Sequence, residues 1–320
     1  MRLAFCCQHP YWGGLSPGGG SRTIVMSAKT LREMGHEVCI VTQSDKYKWD
    51  KHPKPLKHIP ADTDVCIACS VSDIDPMLKK MPSSAKPFWW CRLIENHQMP
   101  KAKIIKRAGM VRTLVNSEGL QSWFKRHDVE TTVAYQGVDV EAWQDEIVRS
   151  GKKIVGFLVS SKERKHFDMV EKIVKKCGDE YDYVGYGAGV DQSGRTAGFA
   201  GRNFIYFKTD PKHTDLVRLY NLCYTWVATS TKEGLHNCPI EAALCGCAVV
   251  YPDAPLAGCG DHCIDGETAW EYESLNAESA RDAIQKADRS RIEAHKTLIR
   301  FKIGDRKQAM THLLEVLNAD

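Results

Sequence analysis

Short apolar runs alternate with amphipathic stretches along nearly the whole chain. Apolar runs at 2–6, 38–42, 64–70, 87–93, 111–115 and 131–135 each predict a strand. Between the first two, residues 21–34 predict a helix, with Ile24, Val25, Ala28 and Leu31 on one face and Gly35 as its stop. Further helices are expected over 75–80 and from near Lys101 and Ser117, the last with Leu120, Trp123 and Phe124 inward. The pattern restarts at 153–159. Strands follow at 181–184, 204–207, 224–228 and 247–251, with helices around Met169 to Val174 and over 215–223. Three helices close the chain near 277–287, 290–301 and 305–317. Strand–loop–helix–strand units favour parallel sheets with ligands at the carboxyl ends of the strands. The expectation is α/β, in two domains, 1–150 and 151–300, with a C-terminal helix over 301–320 that could return to the first domain. No apolar run reaches the roughly 18 residues of a membrane helix.

One stretch organises the second half. After the apolar run at 224–228, a polar elbow carries Glu233, and a helix opened by Pro239 carries Glu241. Pro suits the first helical position, so Asn237 or Cys238 is the expected N-cap and Gly246 the residue after the C-terminus. A strand, an elbow and a helix N-terminus form a natural anion site. Both carboxylates could face one ligand, or Glu241 could merely complement the helix dipole.

Glycines 13, 14, 18, 19 and 20 follow the first strand without the G-x-G-x-x-G spacing of a dinucleotide site. Gly185, Gly187 and Gly189 lead into a loop and read as a turn. Apolar and charged fractions of 43% and 26% are those of a globular protein. The net charge of +4 is uneven, because residues 1–150 hold 21 Lys and Arg against 16 Asp and Glu. Five lysines with Tyr47 and Trp49 fall in the loop at 44–60, which is either a solvated excursion or a surface for phosphates of lipid or nucleic acid.

Metal binding is not expected. Among thirteen cysteines, Cys66 and Cys69 lie in a strand-like run that points them to opposite faces, and no second pair completes a zinc knuckle. Asp62 with Asp64, and Asp73 with Asp75, have the spacing of a D-x-D metal site, but helix capping accounts for the second pair. The cysteines read as reduced core residues. The N-terminal run lacks a secretory layout, so a cytoplasmic location is expected, peripheral attachment to a membrane being left open by the Lys-rich 46–58 loop.

The stretch EGLHNCPIEAALCGCAVV, 233–250, resembles the E-x7-E signature of retaining glycosyltransferases of family 4. It matches at Glu233, Gly234, Leu235, Asn237, Glu241, Ala242, Gly246, Val249 and Val250, with Ala248 in place of proline. GGGSR at 18–22, GHEVCIVT at 35–42, NSE at 116–118, YQGVD at 135–139, VGYG at 184–187 and IDGETAW at 264–270 resemble further motifs in the family's order. The resemblance implies a GT-B fold: two Rossmann-like domains with parallel sheets and a cleft between them, the acceptor mostly on the first and a nucleotide-sugar on the second. It implies that Glu241 holds the nucleotide ribose and Glu233 the donor sugar. Arg164 and Lys165 would neutralise the leaving phosphate, backbone N–H groups from His236 to Cys238 would meet the diphosphate, and Gly18, Gly19 and Gly20 would approach it. His97 lies near the place of the family's active-site histidine. Two departures stand out: His166 replaces a glycine, and Phe157 stands where an arginine is usual, with Lys162 as a substitute.

The expected activity is retaining, metal-independent hexosyl or pentosyl transfer from a nucleotide-sugar, used as co-substrate with no other cofactor. The acceptor hydroxyl is left open: a lipid-linked glycan, nucleic acid or a small molecule. A GT-B epimerase, an inverting transferase or a non-catalytic nucleotide-sugar binder remain as alternatives.

Overall fold

The computed structural model describes residues 1–9, 14–16, 18–48, 50–144, 152–187, 195–209 and 211–319. The chain forms two compact units, Met1–Gly137 with Gly304–Asp320, and Val138–Ile303.

In the first unit, strands Arg2–Cys7 (β1), Glu37–Thr42 (β2), Val65–Ala68 (β3), Lys86–Cys91 (β4), Arg112–Val115 (β5) and Thr132–Val133 (β6) form a parallel sheet in the order β2-β1-β3-β4-β5-β6. Helices Gly19–Glu33 (α1), Ile74–Leu78 (α2), Lys101–Ala108 (α3) and Glu118–Lys125 (α4) connect them. Period-two alternation splits the side chains between two apolar layers: Cys69 joins Phe5 and Trp90 on one face, Cys66 joins Trp89 and Phe124 on the other.

The second unit repeats the plan. Strands Ile154–Val159 (β7), Asp182–Gly187 (β8), Tyr206–Thr209 (β9), Thr225–Val227 (β10), Ala248–Pro252 (β11) and Trp270–Tyr272 (β12) are parallel in the order β12-β11-β10-β7-β8-β9. Their helices are Phe167–Cys177 (α5), Arg195–Asn203 (α6), His213–Leu222 (α7), Asn237–Leu244 (α8), Ala277–Lys286 (α9) and Ile292–Leu298 (α10). The last helix, Arg306–Asn318 (α11), packs Met310, Leu313 and Leu317 into the core of the first unit beside α1. The fold class expected from the sequence, α/β with two Rossmann-like parallel sheets of the GT-B type, is the one found.

Local expectations shift in several places. The units divide after Gly137, earlier than the 150/151 boundary, because Trp143 packs edge-on against His213 and Tyr220 of the second unit. Helix α6 and strand β12 were not expected. Phe204 follows α6 instead of opening a strand, and its ring lies where a side chain on Gly185 would be, 2.6 Å from an added Cβ. Gly185 and Gly187 are therefore strand residues of β8, not a turn, while Gly189 lies outside the described residues. The Lys-rich loop is tethered: Leu56 donates to Ile40 and accepts from Thr42 through its backbone. Tyr47 is buried with its hydroxyl on Asp50; Trp49 lies outside the described residues.

Candidate active site

Glu233 ends the elbow after β10, and its side chain is only 12% exposed. Its Oε1 accepts from Arg164 Nη1, Lys165 Nζ and, at 2.8 Å, Ser230 Oγ. Burial alone pushes this carboxyl up, but Lys165 foremost, then the His236 ring and Arg164, outweigh it and hold Glu233 well below the usual carboxylate range. It is an anion at any physiological pH.

The two cations come from a short 3-10 turn, Glu163–Lys165, after β7. The polar run Thr229-Ser230-Thr231 grips that turn through its carbonyls. Thr229 Oγ1 donates to Lys165 O at 2.7 Å and the Thr231 N–H to Arg164 O at 3.2 Å, while Ser230 Oγ lies 2.9 Å from the same Arg164 carbonyl. His166, in the glycine position of the family pattern, takes the left-handed conformation (φ 49°) that glycine adopts freely, and its Nε2 lies 2.6 Å from Thr231 Oγ1. Lys162 adds a third cation; partial burial, then Arg164 and Lys165, lower its pKa. Lysine and arginine thus exceed carboxylate around Glu233, an imbalance suited to a polyanionic ligand.

Phe157 does not face this cluster. It is fully buried among Tyr183 and Phe204, with ring centroids 6.4 and 6.1 Å away.

The helix start departs from expectation. His236, not Asn237 or Cys238, is the N-cap of α8, and its N–H donates to Gly258 O at 2.9 Å. That N–H is committed to the protein and is not open to an anionic ligand. Glu241 lies past the first turn; it is buried and accepts from Tyr220 Oη at 3.1 Å. Tyr220 Oη is 3.3 Å from Tyr186 Oη, which reaches Cys238 Sγ at 3.0 Å. Glu233, Arg164, Lys165, Lys162, His236, Asn237, Cys238 and Glu241 all belong to the second unit.

Gly18, Gly19 and Gly20 belong to the first. Gly18 is the N-cap of α1 and the other two are its first residues, a helix start and not an open loop; Arg92 Nη1 donates to Gly20 O. His97 is exposed in a turn after β4. The paired aspartates are spent on protein partners: Asp62 and Asp64 on Arg2, Asp75 on Arg107, and Asp73 on Ser70 Oγ and the His9 N–H at 2.6 and 2.8 Å.

A second polar cluster escaped the sequence reading. Cys259, His262 and Cys263 are buried with their ligand-type atoms within 4.8 Å of one another, and His295 of α10 approaches His262 and Cys263. Cys259 Sγ is 3.8 Å from His236 Nδ1.

No family model and no curated protein matches the chain in sequence. Solved structures match in fold. Sucrose-phosphate synthase from Thermosynechococcus elongatus is 13% identical, with 100% of this chain and 98% of that one covered and a TM-score of 0.80. Anabaena HepE in complex with UDP and glucose is 13% identical, with 100% and 99% covered and a TM-score of 0.78. TarM of S. aureus, solved with UDP and alpha-GlcNAc-glycerol, is 18% identical over 79% of this chain and 55% of its own, at a TM-score of 0.64.

Proposed function

We propose that the chain is a retaining glycosyltransferase that moves a sugar from a nucleotide-sugar, with UDP as the first nucleotide to try, to an acceptor hydroxyl. The observation that carries this reading is the Glu233 carboxylate held between Arg164 and Lys165 beside the start of α8. The E-x7-E spacing supports it, as do fold neighbours solved with UDP, one of them also with glucose.

Cleaving a glycosyl–phosphate bond builds negative charge on the diphosphate and oxocarbenium character on the sugar. Arg164, Lys165 and the helix dipole supply cationic stabilisation to the first, each donor worth on the order of 3 kcal/mol. Glu233, anionic and aimed by three donors, suits the donor sugar's hydroxyls. Glu241 on Tyr220 suits the ribose. The anomeric carbon–phosphate oxygen bond breaks as the acceptor oxygen bonds to that carbon from the same face, and the acceptor's proton passes to the departing phosphate oxygen. These roles require no catalytic metal.

A panel of UDP-, GDP-, dTDP- and ADP-sugars, with and without added Mg2+ or Mn2+, tests the reading. Transfer or slow donor hydrolysis with one nucleotide, unchanged by either cation, is expected. Strict dependence on an added cation would overturn metal independence. The buried Phe157 favours one second reading, a non-catalytic nucleotide-sugar binder, because this side chain cannot supply the guanidinium expected at its position. Binding of a nucleotide-sugar with no turnover over the whole panel would select it. Transfer assays with lipid-linked glycan, nucleic acid and free sugar distinguish the three acceptor classes; acceptor binding that falls steeply with salt marks nucleic acid.

A further inference from the structure

We propose that Cys259, His262, Cys263 and His295 bind one structural zinc ion that braces the loop behind Glu233. All four side chains are buried. His262 Nδ1 lies 3.0 Å from His295 Nε2; Cys263 Sγ lies 3.3 Å from the first nitrogen and 3.8 Å from the second. Cys259 Sγ lies within 4.8 Å of the ligand atoms of His262 and Cys263, and the ion would draw it and His295 onto one centre.

One hydrogen bond accounts for the His262–His295 contact but leaves the sulfur beside both nitrogens unexplained. Hydrogen bonds join atoms in pairs, and a ring nitrogen offers one lone pair or one N–H along a single direction. Here His262 Nδ1 is approached at once by a nitrogen and a sulfur that also approach each other. Three atoms at mutual contact describe edges of a coordination polyhedron. With Zn–N near 2.0 Å and Zn–S near 2.3 Å, tetrahedral ligands stand about 3.3 Å apart for two nitrogens and about 3.6 Å for nitrogen and sulfur. The two nitrogen–sulfur separations bracket the second value, and the nitrogen pair stands closer than the first. Two thiolates with two imidazoles is a donor set that selects zinc, and four protein ligands leave no open position, so the ion's role is structural. On binding, both thiols release their protons to solvent.

The local chain is built to present these groups. The N–H groups of His262 and Cys263 both donate to Cys259 O, at 3.0 and 2.8 Å, closing a turn that brings the two cysteines together. His236 Nδ1, 3.8 Å from Cys259 Sγ, is placed to donate to the coordinated sulfur, a contact that orients ligands from outside the coordination sphere. The ion thereby joins the N-cap of α8, the 259–263 turn and α10 at one point. This inference does not rest on glycosyl transfer.

Metal analysis of the full chain, purified from zinc-supplemented medium and exchanged into metal-free buffer, provides the test. One zinc per chain is expected for the wild type and for Cys177→Ala, a cysteine elsewhere in the second unit. Cys263→Ala and His295→Ala should lose it. Cobalt substitution of the wild type covers the case in which those variants do not fold. It should give the intense visible bands of a tetrahedral ion with a thiolate charge-transfer band. Folded wild type that takes up neither zinc nor cobalt overturns the proposal, as does zinc retained in both variants.

Discussion

Glu233 and Lys165 form a largely enclosed ion pair, with both side chains 12% exposed, and Arg164 shares the same carboxylate oxygen. Removing the carboxylate separates its two contributions. Glu233→Ala should abolish most transfer, by about a hundredfold or more, while nucleotide affinity stays within a few-fold, since the cations and the helix start remain. It should also cost about 2 kcal/mol of stability, at the low end for such pairs because Arg164 keeps contact with water. Steady-state kinetics and nucleotide titration on one preparation check both. Turnover equal to wild type would remove Glu233 from the mechanism.

The elbow's shape depends on a glycine beyond it. Gly258 has a φ of 73°, and a Cβ there would lie 2.5 Å from Gly234 O, 2.9 Å from Glu233 Cβ and 2.9 Å from the His236 nitrogen. All three contacts are to backbone or to an atom beside it, so nothing can rotate away. Gly258→Ala should destabilise by about 3 kcal/mol and weaken donor use beyond what stability explains. Denaturant unfolding alongside donor KM measures the two losses. A variant as stable as wild type would show that the Leu256–Gly258 loop yields easily.

How much of this was legible beforehand follows from range in sequence. The strands and most helices could be read because their signal is local periodicity. Glu233 stood out because a carboxylate follows an apolar run and precedes a Pro-opened helix, whereas Arg164 and Lys165 stood out only through the resemblance to a family motif. The Gly258 contact and the capture of the His236 N–H could not, since both depend on where a loop twenty-two residues after His236 comes to rest. The cysteine–histidine cluster was hidden for the same reason: C-x-x-H-C is a sparse signal, and His295 stands 32 residues past Cys263 on a separate helix. Phe157 departs visibly from the family motif, but only the packing shows why the position is closed to a charge.

That closure predicts that restoring the missing arginine will fail. Phe157→Arg would place a guanidinium in the apolar cluster beside Tyr183 and Phe204. The expected loss is about 4 kcal/mol, from lost aromatic burial together with a buried charge. Soluble yield and thermal unfolding would reveal it. A stable Phe157→Arg variant with raised activity would mean that the strand can turn this residue toward the donor side.

The first unit carries a titration of opposite sign to that of Glu233. Burial pushes Glu95 up to about 7, although the Val71 N–H, 2.6 Å from its Oε2, and Arg92 both favour the charged form; Asp73 adds to the rise. In the unfolded chain a glutamate releases its proton near pH 4.3. Between about pH 4 and 7 the folded state therefore holds more protons than the unfolded state, and stability falls as pH rises through that window. Glu95→Gln keeps an acceptor for Val71 and removes the ionisation. The variant should match wild type near pH 4 and exceed it by about 2 kcal/mol near pH 8, a figure reduced for partial exposure. Urea unfolding at both pH values decides the matter: a gap of the same size at both would mean that packing, not the proton, separates the two proteins.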